Sequence, residues 1–162
     1  MQFDPDIGSR ESEFGYGVNL TGSWKTIKLD EKHVDALLFQ IAVGNGIARY
    51  FNDTNGQGLD GVLLVPGDDL DGLPVIASML AYQHWWNRKW GSTLGYSFVT
   101  VDNASGQAGS DYHMGHYAVL NLRHYPAERV MIGGEVLYGL REDNDGDKGD
   151  DVRLQFSVQY RF

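Results

Sequence analysis

The segment DVRLQFSVQYRF (151–162) carries a large apolar side chain at every second position. Val152, Leu154, Phe156, Val158, Tyr160 and Phe162 alternate with Arg153, Gln155, Ser157, Gln159 and Arg161. Successive side chains of an extended strand point to opposite faces, so this pattern gives one apolar and one polar face. The same period recurs upstream. In EFGYGVNLTGSWK (13–25), Phe14, Tyr16, Val18, Leu20 and Trp24 oppose Glu13, Gly15, Gly17, Asn19, Thr21, Ser23 and Lys25. In KWGSTLGYSFVTV (89–101), Trp90, Leu94, Tyr96 and Phe98 oppose Gly91, Thr93, Gly95 and Ser97. In RVMIGGEVLYGLR (129–141), Val130, Ile132, Val136, Tyr138 and Leu140 oppose Gly133, Glu135, Gly139 and Arg141. Three further segments, 33–51, 74–86 and 112–125, read as strands with less clean alternation, and Gly44 and Gly46 suggest a bulge in the first of them. The spacing predicts seven strands and essentially no helix.

Two-faced strands bury their apolar face either against a second sheet or against lipid. Three features favour lipid. The strands run to about 12–15 residues, beyond the usual five or six but suited to a tilted crossing of a bilayer. Aromatic side chains cluster near strand ends on the apolar face: Trp24, Trp86, Trp90, Tyr160 and Phe162 toward one end, Phe14, Tyr16 and Tyr138 toward the other. Such rings form the interfacial girdles of membrane barrels. The opposite face, rich in glycine, serine, threonine, asparagine, glutamine and arginine, reads as the lining of a water-filled lumen rather than a packed interior. A soluble β-sandwich or lipocalin-like barrel is the competing reading.

Connections alternate in length. Short links fall near TIKLDEK, WNRK and PAE; long acidic, glycine-rich loops span 52–73, 102–111 and 142–151. That alternation suits an up-and-down antiparallel meander, with the long loops at the outer end. The expected fold is an all-β transmembrane up-and-down barrel, one unit over 1–162, with 1–12 as the tail of a loop. Seven is odd, whereas single-chain bacterial barrels have even strand numbers. An open sheet would expose unpaired edges to lipid. The seven strands are therefore expected to be the C-terminal part of a larger barrel of about 16 strands, or else an eighth strand is concealed.

Mean hydropathy is −0.35, and no run approaches the roughly 20 apolar residues of a membrane helix. The formal net charge of −9 and pI near 4.8 argue against a general nucleic-acid binder. With no cysteine there is neither a disulfide framework nor a thiolate metal site. The opening MQFDPDIGSR lacks the basic-then-apolar pattern of a signal peptide.

Several stretches carry a resemblance: GYGVNLTG, GNGIARYFND, YQHWWNRKWGSTLGYSFVTVDN, VMIGGEVLYGLRE and DDVRLQFSVQYRF. In this order they are similar to the C-terminal half of DcaP-like outer-membrane porins, through most of 13–162. The resemblance implies a large barrel in the bacterial outer membrane, a homotrimer, and passive uptake of small, often anionic solutes such as dicarboxylates. The terminal Tyr160–Arg161–Phe162 resembles the signal read by the barrel-assembly machinery of that membrane, through Tyr160 and Phe162.

Charges on the polar face are the informative ones for transport. Lys25, Arg141, Arg153 and Arg161 fall on that face and Arg123 is expected to join them, against Glu13 and Glu135. A cationic wall along a narrow aqueous path concentrates anions and can orient carboxylates. The function expected is a diffusion channel for small hydrophilic, preferentially anionic solutes. The competing reading is a non-conducting anchor that works through its acidic loops. Arg49, after the glycine pair, is a further candidate whose facing stays open. In LDGVLLVPGDDL (59–70) the apolar run Val62–Val65 suits either a constricting loop folded into the barrel or a segment packed on its rim.

No catalytic or cofactor site is expected. His113 and His116, three apart on a strand, face opposite sides and cannot chelate together. No serine sits in a nucleophile elbow. DNDGDKGDD has aspartates at the first, third and fifth positions of a calcium loop, but Lys148 and Leu154 stand where glycine and glutamate are needed.

Overall fold

A computed structural model describes residues 13–62 and 70–162, together with the short backbone pairing of Gln2–Phe3 with Glu11–Ser12. The rest of the expected N-terminal loop tail and the end of the Val62–Val65 run lie outside the described residues. Seven long strands form one sheet in simple sequence order. They are β1 (Tyr16–Lys28), β2 (Val34–Asn45), β3 (Pro74–Asn87), β4 (Trp90–Val101), β5 (Tyr112–Ala127), β6 (Val130–Asp143) and β7 (Lys148–Tyr160). Every neighbouring pair is antiparallel. Strands β1 and β7 lie at opposite ends of this order and do not pair with each other, so the sheet is an open part of a barrel wall.

Register makes each face continuous. Leu20 pairs with Ile41, Phe39 with Leu80, Leu94 with Leu120, Val136 with Leu154 and Ile132 with Val158, all from the apolar series. A one-residue slip would turn every one of them over. All of these side chains but the half-buried Phe39 stay exposed even in the sheet: Leu154 is 66% accessible, and Phe156 on the same face 84%. Cross-strand contacts alone leave this much apolar surface uncovered, which lipid would cover.

The other face is not uniformly polar, and here the expectation of a wholly water-lined wall is corrected. Ala42, Val75, Ala77, Val99, Val101 and Tyr112 line it near the long-loop end and are buried with Ala48, Leu59 and Leu73 from the connection after β2. Both faces of β3 are apolar there, which is why alternation is weak in 74–86, and in β4 Val99 and Val101 make the end of an otherwise polar face apolar. Among the described residues this is the packed core, and it shows that the chain folds its own loop onto the inner face.

The Gly44–Gly46 pair ends β2 rather than bulging it. Gly46 sits at φ +67°, where a Cβ is disfavoured, and its N–H donates to Leu73 O at 3.0 Å. A short 3₁₀ turn, Ala48–Tyr50, follows, and Gly61–Val62 pairs with Asp71–Gly72. At the acidic end, β6 and β7 run through most of 142–151 and leave only 144–147 as the connection. Asp and Gly mark a loop by composition, yet solvent-exposed strand ends tolerate acidic side chains because the pairing is made by the backbone.

Candidate functional site: the inner cleft

The inner face of β5–β7 and the inward loop enclose a cleft of about 550 Å³. Its lining includes Tyr112, Tyr117, Arg141 and Arg153 from the wall and Asp53 and Gln57 from the loop, with Asp150 and Asp151 among the groups at β7. The loop is held in place by its own polar groups. Arg49 N–H donates to Asp60 Oδ1 at 2.8 Å and its Nε to Oδ2 at 2.5 Å, with Asp60 buried. Thr54, also buried, donates its hydroxyl to Ala48 O at 2.5 Å. Arg49 thus faces Asp60 inside the loop and does not line the cleft.

From this frame Asp53 reaches the wall, where its carboxylate meets Tyr117. Burial pushes the Asp53 carboxyl above the ordinary carboxylate value, and the tyrosine contact partly offsets the rise. Tyr117 lies across Gly139 of β6, where an added Cβ would stand 3.2 Å from its ring. The residue opposite thereby gives the ring room to lie along the wall. A second cavity of about 340 Å³ lies on the other side of the loop, between Tyr50, Phe51, Met79 and Ser97. Asp53 and Tyr117 line both, so their contact stands between the two spaces.

The arginines fall into a regular vertical series. Arg141 pairs with Gly149 and Gly115, Arg153 with Leu137, Arg123 with Gly133, and Arg161 donates its backbone N–H to Arg129 O at 3.0 Å. Along β6 these are the levels 141, 137, 133 and 129, four residues or roughly 13 Å apart. Lys25 shares the inner face on β1, opposite Ala36. Glu135 lies on that face between Asn121 and Gln155, and with Arg123 lines a smaller cavity of about 130 Å³.

The guanidinium groups are not equivalent. Arg141 donates to Asp143 Oδ1 at 2.5 Å and to Ser110 O at 3.2 Å, and lies over the Tyr112 ring at 5.5 Å. Arg123 donates to Thr93 Oγ1 at 3.1 Å and lies over Trp85 at 5.9 Å, while its Nε is buried without a partner. Arg153 makes no ion pair with any described residue and faces the cleft.

On the outer face, Trp24 and Trp86 are largely exposed, Trp90 stacks on His124 at 4.2 Å, and Trp86 Nε1 donates to Ser92 Oγ at 3.0 Å. Tyr138 stands between Ala118 and Val152. Tyr160 pairs with Val130, and its ring meets Phe162 edge-on at 5.3 Å. Residues that sequence leaves unassigned to the site are Asp53, Gln57, Tyr112 and Tyr117. The parity of YHMGHYAVLNLR (112–123) puts Tyr117 with Arg123, but nothing local announces that Asp53 returns to it.

Neither a protein-family model nor a curated protein matches the chain. Among solved structures, the crystal structure of the outer membrane channel DcaP of Acinetobacter baumannii superposes with a TM-score of 0.75 at 19% identity. The fold is DcaP-like. The match covers 91% of this chain and 41% of the DcaP chain, so the present sheet corresponds to less than half of that channel. The structural match bears on the fold expectation, an antiparallel part of a porin-type barrel.

Proposed function

We propose that this chain forms part of the wall of a bacterial outer-membrane channel for passive diffusion of small hydrophilic solutes. One observation carries the reading: a sheet apolar over most of its outer surface presents arginines on its inner face and narrows that side with its own loop. An anchor needs the outer surface only; a buttressed inward loop facing spaced guanidinium groups serves passage. The likeness to a channel supports the same setting. Further strands, from more chain or from other copies, would pair with the edges of β1 and β7, since lipid does not tolerate unpaired strands. A homotrimer is the assembly we propose, following the resemblance.

The arginine series supplies the bias toward anions that we propose for the path. Each level replaces part of the solute's hydration while leaving the next within reach, and no covalent step or cofactor is needed. Tyr160 and Phe162 serve as the assembly signal. Removing Phe162 is expected to lower the amount of folded protein in outer membranes several-fold, as measured by quantitative blotting of membrane fractions.

The test of transport is a planar bilayer under a salt gradient, with protein extracted from outer membranes. Stepwise conductance with an anion-biased reversal potential is expected, and exchanging Arg123 and Arg153 together for glutamate should shift it toward cations. Unchanged permeability in that double variant would remove the arginines from the account. A silent bilayer from folded protein would move the function to the loops.

A further inference from the structure

The cleft does not carry one sign of charge. Arg141 and Arg153 stand on the wall while Asp53 and Asp151 face the same space, two cations against two anions. Of the cations, Arg141 already donates to Asp143, whereas Arg153 has no ion-pair partner among the described residues. Of the anions, Asp53 is the one brought in from the loop and fixed against the wall by Tyr117. A free guanidinium and a positioned carboxylate therefore face one space of about 550 Å³, within the range of sites for small molecules.

We propose that this cleft is a recognition station for small zwitterionic solutes, with Arg153 taking the carboxylate and Asp53 the ammonium group. The proposal rests on the channel reading and refines its selectivity. A guanidinium fork matches a carboxylate in two hydrogen bonds, and an aspartate oxygen accepts from an ammonium. Dianions, the dicarboxylate-like solutes implied by resemblance, would meet Arg153 favourably but carry their second charge toward Asp53. Dications meet the reverse mismatch. Like-charge contact of this kind is what separates solutes of equal size. Tyr117, which lines the same cleft, is a positioning residue through its contact with Asp53.

Three four-carbon probes of matched length separate the possibilities: γ-aminobutyrate, succinate and putrescine. Each is added to one side of a planar bilayer holding the conducting protein, and interruptions of the ion current are counted at equal concentration. The wild type should be interrupted most by γ-aminobutyrate. Asp53→Asn should shift the ratio of γ-aminobutyrate to succinate interruption toward succinate by roughly two- to fivefold, the scale of a solvated charge contact. Arg153→Gln should shift the ratio of γ-aminobutyrate to putrescine interruption toward putrescine by a similar factor. Circular dichroism of each variant reports that its strands have formed. Wild-type interruption led by succinate or putrescine overturns the proposal, as does an Asp53→Asn ratio equal to wild type. A wild-type bilayer that never conducts overturns the channel reading instead, and the station with it.

Discussion

At Asp53 and Tyr117 a loop carboxylate meets a wall tyrosine, and the two residues line both cavities. Gly139→Ala would put a Cβ within 3.2 Å of the Tyr117 ring, so the ring must shift by a few tenths of an ångström. The expected outcome is a weakened hold on Asp53, read as larger single-channel conductance with little change in protein stability. Acid should act on the same contact. Burial raises the Asp53 carboxyl, so it loses its charge at a higher pH than an ordinary aspartate. The other titratable groups of the cleft are Tyr112, Tyr117, Arg141, Arg153, Asp150 and Asp151. Neutralising Asp53 leaves the arginines less opposed, so anion permeability should rise on acidification. Reversal potentials followed against pH should show that rise in the wild type and a smaller one in Asp53→Asn. The inner-face placement of Lys25, Arg123, Arg141, Arg153 and Glu135 follows from strand parity and is legible in the sequence. Asp53 is not, because its position depends on a loop returning across the sheet, a contact no local period encodes.

At the scale of elements, the inward loop and the short turns do different work. Leu59 and Leu73 are almost fully buried beneath the loop, against Val75, Val99 and Val101. Leu59→Ala should cost about 2–5 kcal/mol of that packing. The barrel itself should persist, with faster proteolysis within 55–58 and increased conductance. The first short turn is tied to the next by one carboxylate. Asp30 Oδ1 accepts from Lys32 and His33 N–H, both at 2.9 Å, and Oδ2 accepts from Arg88 Nε at 3.0 Å. The His33 side-chain contact, first among several, lowers the Asp30 carboxyl to about 2. A depressed carboxyl contributes stability above its unfolded value and loses it as pH falls through the folded one. Amide exchange at Lys32 and His33 should therefore stay slow until the pH approaches about 2. Seven strands are legible from period-2 alternation, less cleanly in three of them, and their order from the alternating lengths of the connections. What composition obscures is where strands end: the glycine pair reads as a bulge but closes β2, and the acidic 142–151 reads as a loop but is mostly strand.

Across the whole molecule, the two faces of one sheet meet two solvents. The outer surface keeps Leu20, Leu94, Leu120, Leu154 and Phe156 exposed over four of the strands, while the inner surface carries the arginine levels and the folded-in loop. This division was visible in the alternating residues, because a strand cannot hide which side chains share a face. The apolar patch beneath the loop was not visible, because Val75 and Ala77 sit in a segment apolar on both sides, and Val99 and Val101 end an otherwise polar face. The chain has no cysteine, which makes a direct test of the division possible. Single cysteines placed along β7 at 153, 155 and 157, and at 154, 156 and 158, can be exposed to a charged, membrane-impermeant thiol reagent in intact outer membranes. Lipid outside and water inside predicts rapid labelling at the odd positions, with a drop in conductance, and protection at the even ones. Equal labelling at both sets would contradict a wall with lipid on one side and water on the other.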